Sequence, residues 1–225
     1  MTKAIGILLF DDVEELDFVG PYEVFTMMGE TQKRLGEQPS HEILLLAETD
    51  KPVRCAKGMQ VVPHKTITAA PALDVLLVPG GMGTRREIAN EKLLAWIASA
   101  AKDCRWVTSV CTGSYLLAAA GPARGKRVTT HWAFVEQLRA RGDAGEVLEN
   151  VRYVRDGNVV TSAGVSAGID MALALAERIG GADMAQRFQL AIEYDPQPPY
   201  NAGSPTTAPA EIVAAARARS RFASA

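Results

Sequence analysis

Four short, almost wholly apolar runs, Ile5–Phe10, Ile43–Ala47, Val75–Val78 and Trp106–Val110, are separated by stretches with helical spacing. Runs that are apolar on both faces suit buried parallel strands, because both faces of such a sheet are covered. The helical patterns are Pro21–Met28, Arg85–Lys102 with Ile88, Leu93, Leu94 and Ile97 as its apolar side, Thr112–Ala120 and Trp132–Arg141. Their alternation predicts an α/β fold: a doubly wound, mostly parallel sheet with helices on both faces. With 225 residues and no Pro/Gly/Ser-rich divide in the middle, a single domain is expected.

The second half adds smaller elements. Val151–Val154 and Val159–Thr161 flank Asp156-Gly157, a favoured type I′ turn pair, so a hairpin is expected there. Val53–Pro63 suggests another. Ala-rich Ile169–Ile179, stopped by Gly180-Gly181, and Met184 to about Tyr194 read as helices. Five prolines between Asp195 and Pro209 exclude regular structure, and Ala210–Arg219 returns to a helical pattern. Residues 1–195 are therefore expected to form the main domain. Residues 196–225 are expected to form a loop and helix packed on that domain or on a dimer mate.

Composition narrows the function. The chain is 48% hydrophobic and 22% charged with a formal net charge of −2, which supports a large core and offers no basic footprint for nucleic acid. The N-terminal Met1–Asp17 has one Lys, a six-residue apolar run and then five acids within seven residues, unlike a signal peptide or membrane span. Cys55, Cys104 and Cys111 form no C-x-x-C pair and no Cys/His cluster, so neither a disulfide framework nor a metal site is expected. The compartment that follows is the reducing cytoplasm.

The strongest local signal is Trp106-Val-Thr-Ser-Val-Cys111-Thr-Gly-Ser114, where a β-branched run stops at Cys111 and a helix begins at once. A nucleophile elbow needs this junction, since the sharp turn presents the side chain beyond the sheet edge with backbone N–H groups beside it. The helix N-terminus is expected to favour the thiolate and to lower its pKa from about 8.5. A second turn, Val78-Pro-Gly-Gly-Met-Gly-Thr84, lies at the same edge. Gly81 is the oxyanion-hole candidate there, together with the Thr112 amide. The turn lacks the spaced glycines and lysine of a P-loop.

Asp17 stands out among the acids after the first strand, because Leu16, Phe18 and Val19 surround it with apolar neighbours. Two roles are open: an N-cap for the next helix, or a buried proton carrier whose pKa is raised near Cys111. His131, in Val128-Thr-Thr-His-Trp132, is the histidine after the elbow helix and is either a Cys–His partner or structural. His41 and His64 have no evident role.

These motifs resemble the ThiJ/PfpI superfamily, whose fold is similar to the class I glutamine amidotransferases and flavodoxin-like. The resemblance rests on Leu16-Asp-Phe-Val-Gly-Pro-Tyr-Glu-Val-Phe25, Val78–Gly83, Ser109-Val-Cys-Thr-Gly-Ser114, Arg127–Trp132 and Thr161-Ser-Ala-Gly-Val-Ser-Ala-Gly-Ile-Asp170, over nearly the whole chain. Gln186-Arg-Phe-Gln-Leu190 and Pro198-Pro-Tyr-Asn-Ala-Gly-Ser-Pro205, joined to the Asp17 form of the first motif, bring it nearest to the isonitrile (isocyanide) hydratase branch. The resemblance implies that Cys111 is a nucleophile and that Asp17 stands where many relatives carry a glutamate touching the sulfur. It also implies that Thr112 offers an amide and a hydroxyl beside that sulfur; Gly81 and His131 remain the candidates for oxyanion or substrate binding from the residue reading. The implied reaction passes through a cysteine thioimidate to an N-substituted formamide, with no metal or organic cofactor. A homodimer with a small-molecule substrate and neither nucleic acid nor membrane as partner is expected.

Other functions occur among similar proteins. Transcription regulators append a helix-turn-helix domain, for which a chain ending at Ala225 is expected to be too short. Peptidases carry histidine where Thr112 stands, and glyoxalase-like relatives usually carry glutamate at Asp17. A stand-alone redox or stress sensor using Cys111 is a further alternative.

Overall fold

The computed structural model describes residues 3–222; residues 1–2 and 223–225, at the ends of the expected segments 1–195 and 196–225, lie outside the described residues. The chain begins with β1 (Lys3–Leu8), α1 (Glu15–Arg34), β2 (His41–Ala47), a short antiparallel hairpin of β3 (Val53–Arg54) and β4 (Gln60–Val61), and β5 (Lys65–Thr66). It continues with β6 (Val75–Val78), α2 (Thr84–Glu87), α3 (Glu91–Asp103), β7 (Trp106–Val110) and α4 (Gly113–Ala120). Then come α5 (Val135–Arg141), β8 (Tyr153–Asp156), β9 (Val159–Ser162), α6 (Ala167–Gly180), α7 (Ala182–Ala191) and α8 (Ala210–Phe222).

The main sheet has the order β5-β2-β1-β6-β7-β9-β8, parallel except for β8 against β9. Its five central strands run second, first, third, fourth, fifth, the flavodoxin-like doubly wound order, in which ligands bind beyond the carboxyl ends of the strands. Val75–Val78 and Trp106–Val110 are buried along their whole length, as their uniform apolarity demands. Phe25 and Phe188 from α1 and α7 are fully enclosed, each worth about 1.5–3 kcal/mol over leaving the ring in water.

The differences from the sequence reading have local causes. The first helix starts at Glu15, six residues before Pro21, with Glu15 and Asp17 in its first turn. Pro21 thus lies inside it and has no N–H to offer the Asp17 carbonyl; the buried face of Phe18, Val24, Phe25 and Met28 outweighs that loss. The single helix expected over 85–102 is two: the first ends at Glu87, and Asn90 caps the second by accepting from the Leu93 amide. In the β8–β9 hairpin Asp156 pairs with Val159, so the turn residues are Gly157-Asn158, and only Gly157 has positive φ, the type II′ rather than I′ pattern. The terminal helix α8 packs on the 3₁₀ turn Trp132–Phe134, with the Arg217 guanidinium 5.9 Å from the Trp132 ring centre. Among the described residues no helix is long and apolar enough to cross a membrane.

Candidate active site

Four chain segments meet beyond the carboxyl edge of the sheet: the turn after β1 with the start of α1, the glycine turn after β6, the β7–α4 junction and the turn after β9. Cys111 occupies the β7–α4 junction with φ of 54°, a left-handed conformation uncommon for a non-glycine residue. The strain is held by hydrogen bonds on both sides. The Cys111 amide is shared between the carbonyls of Ser162 (3.2 Å) and Ala163 (3.1 Å). The Cys111 carbonyl accepts from the hydroxyls of Ser114 (3.1 Å) and Thr130 (2.9 Å). A Cβ at Gly113 would lie 2.0 Å from the Val78 carbonyl oxygen, so only glycine lets α4 start this close to β6.

Asp17 is fully buried in the first turn of α1, and it is not a cap: the N-cap position belongs to Glu14, which makes no side-chain capping bond. Its Oδ2 accepts the Gly80 amide at 2.8 Å, and its buried Oδ1 has no partner at ordinary hydrogen-bond distance. Burial pushes the carboxyl up to about 7; the Gly80 amide opposes this, Glu14 adds to it, and Lys57 and the neighbouring Cys111 thiol pull it back. Lys57 comes from the β3–β4 hairpin, whose tip is fastened over the acidic turn. The Ala56 amide donates to the Val13 carbonyl (2.9 Å), the Lys57 amide to Glu15 Oε1 (2.7 Å), and Lys57 Nζ pairs with Glu14.

Burial also drives the Cys111 thiol well above its ordinary range, and the Asp17 charge adds to the rise. The amides of Thr112 and Val165 and the Thr112 hydroxyl act in the opposite direction without prevailing. The expected lowering by the helix N-terminus is therefore overturned: an enclosed sulfur beside a carboxyl is harder to ionise than a surface thiol.

Thr112 is buried and tightly held. Its Oγ1 accepts from the Gly81 amide (3.1 Å) and the Thr84 hydroxyl (3.2 Å). The Gly81 amide is thus committed to Thr112, and the two backbone donors at the sulfur are Thr112 and Val165, not Thr112 and Gly81. Gly81 has φ of 124°, and a Cβ there would strike Asp12 O and Glu14 N at 2.4 Å, so its role in the geometry is to join two turns. Val165 was not singled out by the sequence. Its φ of 46° is a genuine outlier for a β-branched residue and aims its amide at the sulfur.

His131 is set apart. Its Nδ1 accepts the Ala133 amide (3.2 Å), its ring lies tilted against those of Trp132 and Phe134 with centres 5.6 Å from each, and burial lowers its pKa. No hydrogen bond joins it to Cys111 among the described residues. His41 bonds Asp74 (3.1 Å) and His64 accepts the Leu45 amide (3.0 Å), both far from this chemistry in role. Cys55 and Cys104 are buried free thiols, pushed up to about 11 and about 12 by desolvation first. No cluster of three or more potential metal ligands exists among the described residues.

Two cavities flank the elbow. One of about 250 Å³ touches Thr112 and Tyr115. The other, about 470 Å³, touches His131, Gly164 and Val165 and is walled on one side by Gly203–Thr206 of the proline-rich segment.

A flavodoxin-like sheet with a left-handed cysteine at a strand-to-helix elbow, faced by a buried carboxyl, defines a cysteine-elbow α/β protein. The chain belongs to the DJ-1/PfpI family, whose model matches residues 3–178. It is similar to an isonitrile hydratase of Pseudomonas putida, 44% identical over 97% of this chain and 90% of that protein. It also resembles a ThiJ/PfpI family protein of Pseudomonas syringae, with a TM-score of 0.89 at 33% identity over 100% of this chain and 88% of that one. The transcriptional regulator GbdR of Pseudomonas aeruginosa is 30% identical over 81% of this chain, which spans 48% of that protein.

Proposed function

We propose that the chain is an isonitrile hydratase that converts R–N≡C to the N-substituted formamide through a thioimidate on Cys111. The observation that carries this reading is the pairing of the enclosed Cys111 thiol with the fully buried Asp17 carboxyl, which burial pushes up to about 7. The similarity to the Pseudomonas putida hydratase supports the substrate class.

An isonitrile is attacked at its terminal carbon, which must also gain a proton. Ionised Asp17 takes the thiol proton as the sulfur electron pair bonds to that carbon, and then delivers it to the carbon's own lone pair. The sum is addition of S–H across one carbon, giving R–N=CH–S. The amides of Thr112 and Val165 stabilise sulfur charge while the bond forms. Asp17 next accepts a proton from water as the water oxygen adds to the thioimidate carbon, and passes it to the nitrogen. Asp17 then takes the remaining hydroxyl proton as the formyl C=O forms and the C–S pair leaves on sulfur, and it returns that proton to the thiolate as R–NH–CHO departs. A carboxyl with pKa near the working pH suits these opposite transfers. Each proton is handled by Cys111, Asp17 and water, so the reaction calls for no cofactor.

Gly81 and His131 are assigned supporting roles, the first fixing Thr112 and the second shaping the wall opposite Gly164, where a Cβ would lie 2.2 Å from the His131 ring. The three unpaired thiols favour a reducing, cytoplasmic setting. A homodimer is favoured by exposed Leu16 and Val19, one turn apart on α1, and exposed Leu190 on α7, which packs against α1. Light scattering then gives twice the 24.1 kDa chain mass. The functional test is formamide production from an aryl isonitrile: wild type turns over and Cys111→Ala does not, whereas inactivity of the wild type on alkyl and aryl isonitriles alike refutes the reading.

A further inference from the structure

The cavity beside Thr112 contains charge that the reaction above does not use. Its walls include the apolar surfaces of Tyr115 and Phe134, the guanidinium groups of Arg85 and Arg141, and Gln137. The two arginines are not equivalent. Arg141 is neutralised by Asp143. Arg85 has no carboxylate partner among the described residues; its guanidinium carbon lies over the Phe134 ring, 4.8 Å from the ring centre, and the group reaches only the Gly81 carbonyl at 3.5 Å. Gln137 Oε1 is buried without a hydrogen-bond partner among the described residues.

The cavity is electrically close to the elbow. Burial pushes the Tyr115 phenol up to about 12, Arg85 and Arg141 pull it down, and Cys111 pushes it up again, so the phenol feels both arginines and the sulfur. Tyr115 is oriented by donating its hydroxyl to the Phe134 carbonyl (2.9 Å). A site of about 250 Å³ is smaller than the roughly 300–1,000 Å³ of drug-sized pockets. A cavity lined by aromatic rings and by a guanidinium without a carboxylate partner matches an apolar group that terminates in a carboxylate, since arginine pairs with planar carboxylates through two parallel N–H donors.

We propose that this cavity binds the N-substituent of the isonitrile and selects substituents with an apolar, ring-sized body and a terminal carboxylate, with Arg85 as the specificity-determining residue. The proposal rests on the hydratase reading for the identity of the reacting group. It does not rest on it for the carboxylate.

The test compares 4-isocyanobenzoate with its methyl ester as substrates, and the corresponding formamides, 4-formamidobenzoate and its ester, as ligands measured by calorimetry. Each pair is run with wild type, Arg85→Met and Arg85→Lys. Wild type is expected to favour the acid over the ester by about tenfold or more in both kcat/KM and Kd. Arg85→Met is expected to bring both ratios close to one, and Arg85→Lys to keep part of the preference. A general folding defect would depress acid and ester alike and leave the ratios unmoved. No preference in wild type, or a preference that survives in Arg85→Met, overturns the proposal. If wild type turns over neither isonitrile, the hydratase reading fails, and the calorimetric ratio alone decides the carboxylate site.

Discussion

The amide of Gly80 reaches across 63 residues of sequence to hold Asp17 Oδ2 at 2.8 Å, and the glycine fills a gap that no side chain fits. A Cβ at this position would lie 2.8 Å from that oxygen and 2.6 Å from the Thr112 amide. Gly80→Ala must therefore push apart the carboxyl and the Thr112 donor. We expect kcat/KM on an aryl isonitrile to fall by about a hundredfold with modest loss of stability, because misplacement by about 1 Å is costly in a preorganised site. Wild-type kcat/KM in this variant would show that the Gly80 contact does not position the pair.

The pH dependence follows from Asp17. The carboxyl must be ionised to take the thiol proton, and its pKa is raised to about 7. kcat/KM should accordingly rise with pH, with a midpoint near 7, and the rise should be absent in the residual activity of Asp17→Asn. A profile flat from pH 5 to 8, or one that falls, contradicts this assignment.

The same shift has a consequence for stability with a definite sign. A carboxyl whose folded pKa lies above its unfolded value near 3.8 binds more protons in the folded state, so stability falls as pH rises from about 4 through about 7. Asp17→Asn removes that penalty and keeps an oxygen for the Gly80 amide. Denaturant unfolding at pH 5 and pH 8 should show Asp17→Asn gaining on wild type by about 1–3 kcal/mol more at the higher pH. An equal difference at both values would mean that the carboxyl is not held neutral by burial.

Thr112 offers a test of the hydroxyl. Thr112→Val leaves the Gly81 amide without its acceptor, at a cost of about 1–2 kcal/mol, and removes one donor from the sulfur, while the Thr84 hydroxyl keeps the Gly81 carbonyl at 2.8 Å. Alkylation of Cys111 by iodoacetamide should slow in Thr112→Val and recover in Thr112→Ser. Labelling of the valine variant at the wild-type rate would exclude the hydroxyl from the sulfur's surroundings.

The elbow was legible because its signal is local: a β-branched strand that stops at Cys111, with Gly113 two residues on, is enough to predict the turn that φ of 54° realises. The doubly wound sheet was legible for the same reason, in the uniform apolarity of Val75–Val78 and Trp106–Val110. Asp17 was only half legible. Its apolar neighbours marked it, but whether it caps a helix or sits beneath the Gly80 turn depends on a contact 63 residues away. Val165 was illegible, since nothing about valine predicts φ of 46°; the surrounding fold imposes it. The direction of the Cys111 shift was misjudged for a related reason, because the helix terminus is visible in the sequence whereas the burial that outweighs it is a property of the assembled core. Lys57 was likewise hidden, its link to Glu14 created by folding the β3–β4 hairpin over the first turn.

The most direct test of the covalent route is rapid-quench mass spectrometry of the wild-type protein during turnover of an aryl isonitrile, followed by peptide mapping. Because S–H adds across the isonitrile carbon, the account predicts a transient gain equal to the full mass of the isonitrile, located on Cys111 and decaying as formamide appears. Formamide accumulating with no adduct on Cys111 at any quench time, or formed by Cys111→Ala, would contradict it.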